Sequence, residues 1–265
     1  MIVNTQRLFT RLLATSRINV VCDVGSMNGA DALNFRDAVP EASVYAFEPN
    51  PGNLRLMQAN RALRERDIQV VPLAAADCDG EAMFFLVDAD YSQNDCRRGM
   101  SSLYKREGEW AAADVVRVKT TRLDTFLAEK CTPEARLALW IDTEGKAFEV
   151  IEGIAGIAAR VHLLHVEVET AACVGAHQKL YSDVKARLEQ LGFAELATDH
   201  TRSGIQFNVL FLRADLSAVM QFWTMASLAH ARLRYLLVRT IRRVCPGCLQ
   251  HYQALRAPAS SRQIL

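Results

Sequence analysis

The sequence has no run of some twenty apolar residues, so no membrane-spanning helix is predicted. It also has no G-x-x-x-x-G-K-[ST], which removes the P-loop mode of phosphate binding. Its seven cysteines are odd in number and mostly scattered, so no disulfide framework is expected and a reduced, cytoplasmic setting fits best. A strongly basic balance is missing too: the net charge is +1, and nucleic acid is not an expected partner. Acidic residues stop at Asp215, after which seven arginines follow. Removing those seven from 31 leaves 24 basic against 30 acidic residues, about −6, so an acidic body carries a basic tail. The opening MIVNTQRLFTRLLATSR carries arginines throughout and lacks an uninterrupted apolar centre. It is therefore expected to be an amphipathic helix over 1–17 packed on the domain, and not a signal peptide.

What is present is a long alternation of short β-branched apolar runs with helical patterns. INVVCDV (18–24), SVYAFEP (43–49), IQVVPLA (68–74), LALWID (137–142), HLLHVEVE (162–169), FAELATD and IQFNVLFLR read as strands. GADALNFRDAV, NPGNLRLMQANRALRE, KAFEVIEGI and HQKLYSDVKARLEQLG read as helices, the second opened by Asn50 and a proline. This rhythm predicts an α/β domain with a mostly parallel sheet and helices on both faces. TDHTRSG, joining the last two strands, is short enough for antiparallel pairing at the sheet edge. MFFLVD and VRVKTTRLD are strand-like and flank YSQNDCRRGMSSLYKREGEW, a polar segment too long for a plain connector and read as a substrate-facing lid.

Ligands of open α/β sheets bind beyond the carboxyl ends of the strands, which draws attention to VCDVGSMNGADAL (21–33). Its glycines are spaced G-x-x-x-G and lack the middle glycine that admits a pyrophosphate. Asp23, just before them, would repel phosphate and suits a ligand bearing positive charge, such as the ammonium and sulfonium of S-adenosylmethionine. Glu48 closes the second strand, where an acidic side chain can accept both hydroxyls of a ribose. NAD would use the same grip, so Glu48 leaves the two cofactors open. Asp77, in LAAADCDG, could accept from an adenine amino group or simply form a turn.

DVGSMNG, FEPNP, LAAADCDG, SSL (101–103), RLDTFL, IDTEG with its following EVIEG, HVEVE and LGF, taken in this order, resemble the FkbM family of S-adenosylmethionine-dependent methyltransferases from about Asn19 to Leu212. The resemblance implies a class I methyltransferase (Rossmann-like) fold, a seven-stranded sheet with its last strand antiparallel. It implies O-methylation of a hydroxyl on a sugar, glycan or other small-molecule acceptor. Two positions depart from the family's pattern: Trp140 stands where a lysine is common, and Lys146-Ala147 where a second glutamate is. A domain over 18–216 with an insertion at about 78–122 is expected, followed by a basic helical extension over 217–265. The alternatives are a degenerate cofactor-binding scaffold and, behind it, an NAD-dependent oxidoreductase.

The expected cofactor contacts are Asp23, Gly25, Ser26, Asn28 and Gly29 in the first loop, Glu48 and Pro49 after the second strand, and Asp77 after the third. A hydroxyl is a poor nucleophile until it loses its proton, so a base should stand near the transferred methyl. Asp142, at the end of the fourth of the parallel strands, is expected to orient or deprotonate the acceptor, with Glu144 and Glu167 shaping its pocket. No spacing demands a metal and none is expected; a hard cation, if bound, would use Asp142 and Glu167. Ser101 and Ser102 are expected to meet the acceptor, flanked by Arg97, Arg98, Lys105 and Arg106. His165 is read as buried structure, and His177 and His200 as surface residues. In the tail, Arg232, Arg239 and Arg243 share one helical face and Leu233, Leu237, Ile241 and Val244 another, with Arg234 among the apolar ones. Packing on the domain, peripheral contact with an anionic membrane and contact with a second copy or partner subunit all stay open for it. Cys245-Pro-Gly-Cys248 is read as a turn.

Overall fold

The computed structural model describes residues 4–87, 95–106, 111–201 and 204–215. The chain divides into two units, Met1–Leu216 and Ser217–Leu265. The second unit, on which the expected arginine-bearing helix and Cys245–Cys248 fall, lies outside the described residues, as do 88–90 and, in the polar segment, 91–94 and 107–110.

The chain opens with helix α1 (Thr5–Thr15), whose first turn is capped by Asn4 accepting from the Arg7 N–H at 2.7 Å. Strand β1 (Val20–Val24) follows, then α2 (Ala30–Ala38), β2 (Ser43–Phe47), α3 (Pro51–Ala59), α4 (Arg61–Glu65) and β3 (Gln69–Val71). After two residues of β4 (Ala74–Ala75) come β5 (Gly80–Leu86), α5 (Asp95–Gly99), β6 (Asp114–Thr121) and α6 (Leu123–Lys130). The second half holds β7 (Leu137–Ile141), α7 (Ala147–Glu152), a 3-10 turn (Ala155–Arg160), β8 (Val161–Glu169), α8 (Tyr181–Gln190), β9 (Phe193–Thr198) and β10 (Gln206–Arg213).

Seven strands form one sheet in the order β3-β2-β1-β7-β8-β10-β9. All neighbours are parallel except β10, which runs antiparallel to β8 on one side and β9 on the other. This is the seven-stranded, last-strand-reversed α/β sheet that the resemblance implied. Every residue of β1 and β7 is buried, which explains their unbroken apolar runs: a central parallel strand has helices on both faces. Among the described residues, no helix is long and apolar enough to cross a membrane.

Two runs break where they were read as continuous. The 68–74 run splits at Pro72, which has no N–H to offer the ladder, and Leu73 N–H turns back onto the Val71 carbonyl at 2.9 Å. β3 stays in the large sheet, whereas β4 pairs with β6 in a second sheet of order β4-β6-β5. Similarly, the helix over 50–65 is two: Asn60 is extended, and its side chain accepts from the Ala62 N–H to start α4 afresh. The strand-like runs flanking the polar segment are β5 and β6, an antiparallel pair registered from Gly80 with Thr120 to Leu86 with Asp114. Ser102 makes a bridge alongside β5, opposite Phe85.

Candidate active site

A cleft of about 180 Å³ opens at the carboxyl ends of β1, β2 and β7. From the first loop, Gly25, Ser26, Met27 and Asn28 line it; from the end of β2, Phe47, Glu48 and Pro49; from the loop after β7, Asp142, Thr143 and Glu144. Ser101 lines it from the polar segment.

The first loop is shaped by what it must fit against. Gly25 has φ +86°, and a Cβ there would stand 1.7 Å from the Asp142 carbonyl oxygen, so only glycine lets the two loops meet. Gly29, φ +80°, starts α2 and rests on the Leu63 side chain; it sits behind the cleft and does not line it. Glu48 binds the loop in place, one oxygen accepting from Met27 N–H at 2.8 Å and the other from Asn50 N–H at 2.7 Å. Asp23 departs from its expected position: it is 1% exposed beneath the loop, accepts from the Ser26 hydroxyl at 2.6 Å, and is not part of the cleft lining. Asp77 departs further. The chain leaves the cleft at Ala75 to pair with β6, which carries Asp77 into a separate cavity beside Cys78, Lys146 and Glu149. Leu73, Ala74 and Ala75 face the cleft in its place.

Burial pushes Asp23 up to about 8, against the hydrogen bond from Ser26, and pushes Glu48 up to about 7, against its two backbone donors. The folded chain therefore holds protons that the unfolded chain releases near pH 4, and stability falls as pH rises toward these folded-state values. Burial lowers His165 to about 3, which gives the opposite slope below its unfolded value of 6.5, so the window free of it is pH 6.5 to 8. Across that window the ligand-free protein is expected to lose Tm, at about 2–4 °C for each kcal/mol. Thermal scans check this, and a flat or rising Tm would contradict it; Asp23→Asn should make the slope shallower and leave the share of Glu167, raised to about 10.

Beside the first loop three carboxylates converge. Asp142 and Glu167 come from neighbouring strands, and one oxygen from each of Asp142, Glu144 and Glu167 lies within 4.8 Å of the others. Glu167 does not line the cleft; it is hydrogen-bonded to Asp142 and accepts from Gln206 Nε2 at 2.6 Å. Burial, then the charges of Asp142 and Glu144, hold Glu167 far above the usual carboxylate range, so it keeps its proton and donates to Asp142. Glu144, in the left-handed region at φ +47°, is paired with Arg106, both nearly buried. Burial pushes it up to about 7, with the Arg106 charge pulling down. The same three oxygens are hard ligands of the kind a divalent cation takes.

The polar segment is fastened to this loop. Ser102 Oγ donates to the Glu144 carbonyl at 2.8 Å, and the Tyr104 hydroxyl donates to Glu149 at 3.1 Å, its ring under the Lys146 ammonium at 3.8 Å. Ser101 lines the cleft, whereas Ser102 is spent on the tether and does not line it. His165 is buried against Trp140, rings 3.5 Å apart and parallel, while His177 and His200 are exposed. Cleft residues that sequence reasoning left out include Asp31, Asn53 and Thr143, and Trp140 was named only as a departure from the family's pattern. Trp140 could have been found by counting back two along β7 from Asp142, which puts both on one face.

The methyltransferase FkbM domain matches residues 23–194 of this chain. The chain belongs to that family. This FkbM methyltransferase is similar to the 2-O-methyltransferase NoeI of Sinorhizobium fredii, 25% identical over 205 residues that make up 74% of this chain and 80% of that protein. Among solved structures it is similar to magnesium protoporphyrin IX methyltransferase from Synechocystis PCC 6803 with bound SAM, at 14% identity and TM-score 0.42 over 79% of each chain. It is also similar to precorrin-6y C5,15-methyltransferase from Geobacter metallireducens, at 11% identity and TM-score 0.41 over 78% of this chain and 84% of that one.

Proposed function

We propose that this FkbM methyltransferase uses S-adenosylmethionine to methylate a hydroxyl oxygen of a sugar, glycan or other small-molecule acceptor. The observation that carries this reading is the shared cleft: the glycine loop, Glu48 and Asp142 all line it. The residues fit such a cofactor. Glu48 offers a carboxylate to ribose hydroxyls, Gly25 leaves its backbone bare, and two polar atoms in the lining, Asn53 Oδ1 and Thr143 Oγ1, are buried with no partner. The relative's 2-O-methyl transfer supports oxygen as the atom methylated.

When bound, the cofactor supplies an electrophilic methyl carbon for in-line transfer, a reaction in which alignment alone can contribute roughly 7–11 kcal/mol. The chain supplies the proton acceptor. Asp142 takes the hydroxyl proton as the acceptor oxygen gains the methyl, and Glu167, protonated and steadied by Gln206, keeps the negative charge on Asp142. The test is a screen of hydroxylated acceptors, glycans first, with formation of S-adenosylhomocysteine and of a methyl ether measured together. Cofactor binding with no methylated product from any acceptor would favour a scaffold over an enzyme. Methyl found on nitrogen or carbon would refute the oxygen assignment.

A further inference from the structure

A second cavity, of about 250 Å³, lies beyond the cleft and takes no part in the reaction described above. The two chambers share a wall. Leu103 lines both, and the chain passes from one to the other between Ala75 and Ala76 and again between Glu144 and Lys146. They also share a floor. Phe84 lines the cleft and Ala82 the cavity, and these residues, two apart on β5, point to the same face of the small sheet. Two residues along a strand cover about 6.6 Å, comparable to the step from one sugar ring to the next.

The lining of this cavity holds two buried oxygen atoms with no hydrogen-bond partner, Thr120 Oγ1 and Glu149 Oε2. Thr120 is 6% exposed and stands opposite Gly80, on the face that carries Ala82. Glu149 spends its other oxygen on Lys146 Nζ at 2.7 Å and the Tyr104 hydroxyl at 3.1 Å. A buried polar atom without a partner is destabilising, so two in one lining mark a place that a ligand completes. Resting on the sugar-acceptor reading above, we propose that this cavity is a subsite for a second sugar unit, the neighbour of the one methylated in the cleft. Of the described residues that line it, Asp77, Glu81 and Glu149 are acidic and Lys146 alone is basic, an imbalance that repels anions. A neutral sugar fits. Its hydroxyls donate to Glu149 and exchange hydrogen bonds with Thr120, while its C–H face rests on Ala82, Phe85 and Leu103.

The test measures kcat/KM on methyl glycosides of common hexoses and on the matching disaccharides, with S-adenosylhomocysteine formation as the readout. The wild type is expected to prefer a disaccharide over its monosaccharide by roughly tenfold to a hundredfold. Thr120→Val keeps the shape and removes the hydroxyl, so it should lower that preference by roughly threefold to tenfold. Its Tm should stay level or rise, because the hydroxyl has no partner in the fold. A lower Tm would show that the fold uses the hydroxyl and would overturn the subsite. Ala82→Leu fills the cavity and should abolish the preference; it decides alone if Thr120→Val does not fold. A wild type indifferent to length or active only on hydroxyls outside sugars, or variants that keep its preference, overturn the subsite and leave the methyltransferase reading standing. No methylation of any hydroxylated compound sinks that reading, and the subsite with it.

Discussion

Gly25→Ala is expected to cost more than a hundredfold in cofactor affinity and about 2–4 kcal/mol in stability. The cause is local and double. An alanine must adopt φ +86°, and its methyl would meet the Asp142 carbonyl oxygen at 1.7 Å, a distance that no side-chain rotation relieves because the clashing atom is backbone. Relief requires the loop after β7 to retreat, yet that loop is fixed to β1 by the Asp142 N–H bond to the Val24 carbonyl at 2.9 Å. The substitution therefore pushes apart the two walls of the cleft. Titration with S-adenosylhomocysteine and a thermal scan check it together. An alanine variant with wild-type affinity would mean that the loops part without consequence, and the shared cleft would lose its meaning.

Asp142→Asn is the complementary case, predicted to lower methyl transfer by about a hundredfold to ten-thousandfold while leaving cofactor affinity within a few fold. Asparagine keeps the shape and can still accept from Glu167, but it cannot take a proton from the acceptor. A binding measurement paired with single-turnover rates isolates the proton-transfer role. If the rate is undiminished, Asp142 is only a helix-start acid, stabilised by the peptide dipoles of the loop and α7. If affinity and rate fall together, its role is to shape the cofactor site. Asp142→Glu distinguishes further, since a displaced carboxylate should restore part of the rate.

The sheet was legible because its central strands are buried on both faces, and VVCDV and LALWI carry that condition in every residue. The first loop and the IDTEG loop were legible for a related reason: glycine and acid immediately after a buried strand fall at the one edge where a parallel sheet binds ligands. Contacts that depend on register were harder. Glu167 could be placed in the acidic cluster, but its pairing with Asp142 and its withdrawal from the cleft depend on β8 lying beside β7. Asp23 misled because strand alternation, not proximity to the glycines, decides where a side chain points; the loop turns above it and Ser26 covers it. Asp77 misled because Pro72 ends β3 early, so the residues after it follow a different sheet.

Helix α1 and strand β10 fall outside the span matched by the FkbM domain, yet α1 reaches the floor of the cleft. Phe9 is fully buried with its ring 5.4 Å from that of Trp140, and Trp140 is part of the lining. Thr5 extends the same support through His165, 3.0 Å from its Nε2, against which Trp140 is stacked. Truncating the gene to the homologous core would thus pull the underlay from a wall of the cleft. Expression clones meant for enzymology should retain Asn4 onward.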